Sequence, residues 1–374
     1  MTGSDIGVYR GAAASIGPVR AYENFLGMPG GTTVGYVLAY MADNPSWSQF
    51  ERAILAEGTN GPAGTAPVSA WAPLLGRRQL MLAVPACCQG TSWQQEASGV
   101  NDAHWAALAK TLVRGGLGGC WLRIGREFNG GWYRWSVSTS SSSGNYYPHY
   151  QSGYAHVVSV MKAAGFTGKF VWNPYVGQGT MGPRLGVEDC EPSQSVIDAI
   201  GIDLYDGPGS YPAGEAGRTV AQQQAFWSSV HDSTAWDGLT GWRHLAASQH
   251  KPLCYPEWGL RLWKDGGVYK GGGDDANFVT QMAAWVRDTQ PLMHAFWEDS
   301  GMGVCDPDDY PSRLIAVPRA RQVFLEEFGH RQTSPALPRA AIRMHPAAVQ
   351  APTVMHSNPN LYQLTPSCCE TSAD

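Results

Sequence analysis

The chain has 374 residues, 43% hydrophobic and 15% charged, with a formal net charge of -5. That length and balance fit a large globular core: one large α/β barrel or two ordinary domains. With no basic patch, no lysine-rich run and no apolar stretch near the roughly 18 residues of a membrane span, nucleic acid and membranes are excluded as expected partners.

Eight apolar β-type runs follow one another: Ile6 to Gly11, Val34 to Met41, Leu80 to Ala86, Cys120 to Arg126, Phe170 to Tyr175, Ala199 to Tyr205, Leu253 to Glu257 and Met293 to Glu298. They are continuous hydrophobic runs, as strands buried on both faces should be. Helix signals separate them. Asn44-Pro45-Ser46 opens Trp47 to Glu57, and Asn101-Asp102 opens His104 to Val113. His149 to Ala164 stops before Gly165, Asp274-Asp275 caps Phe278 to Arg287, and a last helix runs from about Arg313 to Phe328.

Eight β/α units predict a (β/α)8 TIM barrel, with a doubly wound open sheet as the competitor. No Gly-rich phosphate turn follows the first run, which favours the barrel. Insertions after runs four, five and seven (Ser136 to Asn145, Gly177 to Leu185, Leu262 to Gly273) put long loops on the C-terminal face, where a barrel keeps its site. Residues 1–330 form the expected catalytic barrel, and 331–374 a proline-interrupted, irregular tail.

Two glutamates carry the chemistry. Glu127 stands in Arg126-Glu127-Phe128-Asn129-Gly130-Gly131-Trp132-Tyr133-Arg134-Trp135, and Glu257 in Cys254-Tyr255-Pro256-Glu257-Trp258-Gly259. Each ends a strand-like run and is followed by glycine and tryptophan. Cleaving a sugar–sugar bond needs a proton for the departing oxygen and a partner for the oxocarbenium-like carbon, and two carboxyl groups supply both. One must stay protonated near neutral pH while the other is ionised. The chain's 15 Trp and 16 Tyr suit both core packing and stacking on sugar rings. Eight cysteines without CxxC spacing and ten scattered histidines give no zinc pattern. Cys190 or Cys305 could form disulfides, whereas Cys120 and Cys254 read as buried, free strand residues.

The segment from Glu127 to Trp135 resembles the acid/base motif of glycoside hydrolase family 26. Glu257-Trp258-Gly259 resembles its nucleophile motif, Gly201-Ile202-Asp203-Leu204-Tyr205 its sixth strand, and Phe296-Trp297 its eighth. The resemblance spans roughly residues 6 to 328. It implies a retaining enzyme that cleaves a β-linked polysaccharide, of endo-β-1,4-mannanase type, with Glu127 as acid/base and Glu257 as nucleophile. Tyr205 would orient Glu257, and Trp132 and Trp297 would line the subsite of the sugar being cleaved. Arg126, Asn129, Trp135 and Asn173 complete the expected substrate-binding set. Arg126 departs from the family, which usually has histidine there. A guanidinium could bond hydroxyls, pair with Glu257, recognise an acidic sugar, or form a structural pair with an acid such as Asp203.

Tyr40, Asp43 and Trp258 are lesser candidates, as are Glu298 and Asp299 on the rim. Asp306, Asp308 and Asp309 could bind calcium but read better as solvated acids. The expectation is a monomeric glycosidase without cofactor or metal. Its alternatives are a hydrolase of a different, acidic or microbial glycan, or a carbohydrate-binding barrel without catalysis. Residues 1–5 lack a basic n-region and an apolar h-region, so no signal peptide is expected. A polymer substrate argues instead for export of a mature form, with a cytoplasmic location as the alternative.

Overall fold

Side chains alternate along the strands with period two, and that alternation builds two cores. The computed structural model describes residues 5–9, 14–29, 32–55, 66–177, 186–207, 218–232, 238–265, 268–297 and 317–330. The strands are β1 (Asp5–Tyr9), β2 (Tyr36–Tyr40), β3 (Gln79–Val84), β4 (Trp121–Ile124), β5 (Lys169–Trp172), β6 (Ala199–Gly201), β7 (Leu253–Gly259) and β8 (Met293–Trp297). Each pairs in parallel with the next, and β8 pairs with β1, so the sheet closes as an eight-stranded barrel. The open-sheet alternative is thereby excluded.

In β2, Tyr36, Leu38 and Tyr40 join the inner core, while Val37 and Ala39 join the outer one, between strands and helices. Met81 and Ala83 on β3, and Met293 and Ala295 on β8, repeat the inner parity. The outer core receives the helices α1 (Ile16–Phe25), α2 (Asp102–Arg114), α3 (Tyr147–Ala163), α4 (Val220–His231), α5 (Leu239–Ser248), α6 (Ala276–Thr289) and α7 (Pro318–Phe328). α2, α3, α6 and α7 lie where the helix signals place them. Asp275 caps α6 by accepting from the Phe278 backbone N–H at 2.8 Å. The first predicted helix is shorter than expected, Trp47–Glu51, behind a Ser46/Gln49 capping box.

Three helices, α1, α4 and α5, were not foreseen. α1 carries Gly17-Pro18 in its first turn and α5 carries Gly241, residues that weaken a helix signal. The segment after β7 is not simply a loop: Leu262–Asp265 and Val268–Gly271 pair as an antiparallel hairpin.

β7 carries the irregularity that matters most. Against β6, Gly201 pairs with Cys254, but the continuation Leu204–Tyr205 pairs with Trp258 and Gly259. Against β8, His294 pairs with Tyr255 but Phe296 with Trp258. On both sides β7 has one residue too many, a β-bulge at Pro256–Glu257. Proline, which cannot donate to a ladder, fits such a place. Regular alternation from inward-facing Cys254 would send residue 257 out to the helices. The extra residue reverses the parity, and Trp258 packs outward against Phe278, Phe296, Phe324 and Phe328. Trp258 is thus core.

Cys120 and Cys254 are buried free thiols, and Cys190 is buried. Glu298, Asp299, Cys305, Asp306, Asp308, Asp309 and the tail 331–374 lie outside the described residues.

Candidate active site

The C-terminal mouth of the barrel gathers three buried carboxyl groups. One oxygen from each of Glu127, Asp203 and Glu257 lies within 4.8 Å of the others. Glu127 arrives by a tight turn after β4. Gly125 and Glu127 both take left-handed backbone angles, φ 58° and 50°. For a glutamate this costs on the order of 1 kcal/mol. The turn is held because Gly125 N–H donates to Val84 O at 2.9 Å and Glu127 N–H to Asn173 O at 2.7 Å.

Glu257 is gripped by donors from three strands or their ends. Its Oε1 accepts from the Tyr40 hydroxyl at 2.8 Å and from Arg123 Nη2 at 2.7 Å, and its Oε2 accepts from the Tyr205 hydroxyl at 2.8 Å. Arg123, inward on β4 and fully buried, also donates to Asp203 Oδ2 at 2.6 Å, to the Tyr40 hydroxyl at 2.9 Å and to Asn173 Oδ1. A buried guanidinium with its donors so occupied joins β2, β4, β5, β6 and β7 around one charge. We expect Arg123→Met to lower unfolding stability by about 3–5 kcal/mol, because it leaves buried Asp203 without its cation and takes from Glu257 its nearest one. Denaturant unfolding measures this. A loss below about 1 kcal/mol would mean that the acids find other partners.

The two glutamates are driven apart in proton affinity. Burial, reinforced by the Glu257 charge, pushes Glu127 up to about 7. Burial opposes ionisation of Glu257 too, but Arg123, Arg126 and the hydrogen bonds from Arg123 and Tyr205 outweigh it and hold Glu257 below the usual carboxylate range. Trp132 donates its indole N–H to Glu127 Oε2 at 2.9 Å, which leaves Oε1 to carry the proton.

The remaining sequence candidates fall into two groups. Trp132, Tyr205 and Trp297 stand at the mouth. Trp132, with Tyr175, Tyr205 and Arg261, lines a cavity beside Glu127. Trp297 is stacked on Tyr9 at 4.5 Å and meets Tyr40 edge-on. The others face inward. Asn129 is fully buried and clamps the loop after β5, donating to Tyr175 O at 3.0 Å and Gly177 O at 2.8 Å and accepting from Tyr175 N–H at 3.0 Å. Asn173 is spent on Arg123 and on the backbone of Pro174 and Gly201. Trp135 is fully buried and donates to Arg126 O at 2.8 Å, so it backs Arg126 and presents no face to a substrate.

Arg126 is paired differently from the expected structural alternative. Its partner is Asp43, at 3.0 Å, while Asp203 belongs to Arg123. The Tyr133 hydroxyl accepts from Arg126 Nη2 at 3.0 Å. Sequence reasoning had not assigned Arg123, Tyr133 or Tyr175 to the site, and it held Asp43 only as a lesser candidate. The one legible signal was Arg123 itself, a cation inside an apolar run, which requires a buried acid.

The fold is similar to those of solved endo-β-1,4-mannanases. The catalytic domain of the Bacillus sp. JAMB-750 GH26 endo-β-1,4-mannanase superposes with a TM-score of 0.52 at 13% identity, over 87% of each chain. A Cellulomonas fimi endo-β-1,4-mannanase double mutant gives 0.56 at 14% identity, over 87% of this chain and 71% of that one. A modular endo-β-1,4-mannanase from the same organism gives 0.52 at 14%, over 89% and 76%. At such identities the likeness establishes the architecture. No protein-family model matches the sequence, and no curated protein matches it.

Proposed function

We propose that the protein is a retaining glycoside hydrolase acting on a β-linked polysaccharide, with β-1,4-mannan as the leading substrate. The observation that carries this is the pair Glu127 and Glu257, with oxygens within 4.8 Å and opposite shifts in proton affinity. Retaining pairs stand about 5–5.5 Å apart, whereas inverting pairs leave room for a water at about 6.5–9.5 Å. The fold's likeness to family 26 mannanases supports the choice of mannan.

In the first step Glu127 protonates the glycosidic oxygen while Glu257 attacks the anomeric carbon, and the aglycone leaves. Esterification removes the Glu257 charge that helps to raise Glu127, so Glu127 becomes a base. It then takes a proton from a water whose oxygen attacks the same carbon, and the bond to Glu257 breaks. Trp132, which lines the cavity beside Glu127, and Trp297, stacked on Tyr9, would flank the sugar. We place the enzyme outside the cell, where polymeric substrates are.

Arg126 Nη2 is taken by Asp43 and the Tyr133 hydroxyl, while its Nη1 is buried without a hydrogen-bond partner, so the uronate polymer belongs in the substrate panel. Product analysis on mannan, glucomannan, xylan, mixed-linkage glucan and a uronate polymer tests the proposal. Manno-oligosaccharides are expected. Release from the uronate polymer alone would overturn the substrate choice, and release from none would sink the hydrolase.

A further inference from the structure

Glu257 Oε1 is surrounded more heavily than its bonds require. Beyond the Tyr40 hydroxyl and Arg123, it faces Arg126 Nε at 4.0 Å, too far for a hydrogen bond but close for a charge. Arg123 divides its charge between Glu257 and Asp203. Arg126 is therefore a second cation on the same oxygen.

Arg126 is also immobilised. It is 6% exposed. Its guanidinium carbon lies 5.0 Å from the Tyr40 ring centre, 4.7 Å from that of Tyr133 and 5.7 Å from that of Trp135. Asp43 and the Tyr133 hydroxyl hold its Nη2, and Trp135 ties down its backbone carbonyl. Such a clamp keeps a charge fixed while substrate comes and goes. The other titratable groups facing this cluster are Tyr40 from β2, Arg123 from β4, Glu127 from the turn after it, and Asp203 and Tyr205 from β6 and its continuation.

We propose that Arg126 is a positioning residue that acts through Glu257, stabilising its carboxylate as the leaving group of the second step. This rests on the retaining mechanism above. In that step the bond between Glu257 and the anomeric carbon breaks, and its electron pair returns to the carboxylate. The water oxygen bonds to the carbon, and its proton goes to Glu127. A fixed cation beside the departing carboxylate lowers this barrier. The same charge makes Glu257 a weaker nucleophile in the first step, so Arg126 shifts the balance toward emptying the enzyme.

The test compares Arg126→Gln and Arg126→Lys with the unaltered protein. The ionisation of Glu257, followed by difference infrared spectroscopy against Glu257→Gln, should move up by about one pH unit in Arg126→Gln and largely return in Arg126→Lys. In rapid-mixing assays with a dinitrophenyl glycoside, Arg126→Gln should show a burst of phenolate followed by steady-state turnover about tenfold slower, with the glycosyl-enzyme visible by intact mass. If Arg126→Gln does not fold, the double variant Arg126→Met/Asp43→Leu removes the ion pair without orphaning a charge and should behave likewise. An unmoved Glu257 titration would overturn the proposal, and so would equal slowing of both steps without a burst. Failure of the unaltered protein to hydrolyse any glycoside would instead sink the hydrolase, while the infrared titration would still decide whether Arg126 acts on Glu257.

Discussion

Glu257→Ala should lower kcat on an unactivated polysaccharide by about four orders of magnitude or more. The side chain supplies the bond that replaces the leaving group, and the nearby acids cannot take over. Asp203 is spent on Arg123, and Glu127 is held by the Trp132 indole and is needed as the acid. The variant should fold, because Arg123 keeps Asp203 and Arg126 keeps Asp43. Circular dichroism would confirm this. The vacated space should admit azide, which would restore turnover of a dinitrophenyl glycoside and give a glycosyl azide of inverted configuration. Polysaccharide turnover close to that of the unaltered enzyme would remove Glu257 from the mechanism.

Glu127→Gln should be nearly as damaging, but selectively. Proton donation contributes about 10²–10⁴-fold when the leaving group is poor. A sugar leaving group should show that loss, whereas the first step with dinitrophenolate should be spared. The pH profile gives the sign. Glu127 must hold its proton, so kcat/KM falls as pH rises through about 7. Glu257 must be ionised and is held below the usual carboxylate range, so activity persists further into acid than an ordinary glutamate would allow. The profile is a bell with a broad acidic shoulder. In Glu127→Gln its alkaline limb should vanish. A limb near pH 7 that survived the substitution would belong to another group.

The barrel itself was legible because β2 (Tyr36–Tyr40) and β3 (Gln79–Val84) are buried on both faces and read as unbroken apolar runs. The two glutamates stood out because each ended such a run. What did not show was direction. Period-two alternation from Cys254 turns Glu257 away from the mouth, and only the bulge at Pro256 corrects it. A proline inside a central strand was the available sign. The network around Arg123 was hidden for another reason: Asp203 and Glu257 lie 80 and 134 residues away in sequence, and no local pattern encodes such pairings. Trp135 marks a third limit. A tryptophan beneath a loop and one beside a sugar draw on the same residue type, and only its full burial distinguishes it from Trp132.

The configuration of the first-formed product tests the central claim most directly. Hydrolysis of the preferred β-linked substrate, followed by proton NMR within the first turnovers, should show the β-anomer appearing first and then mutarotating to the equilibrium mixture. That result follows from carboxylates within 4.8 Å and a covalent step on Glu257. Appearance of the α-anomer first would contradict the account, because direct attack by water calls for carboxyl groups about 6.5–9.5 Å apart.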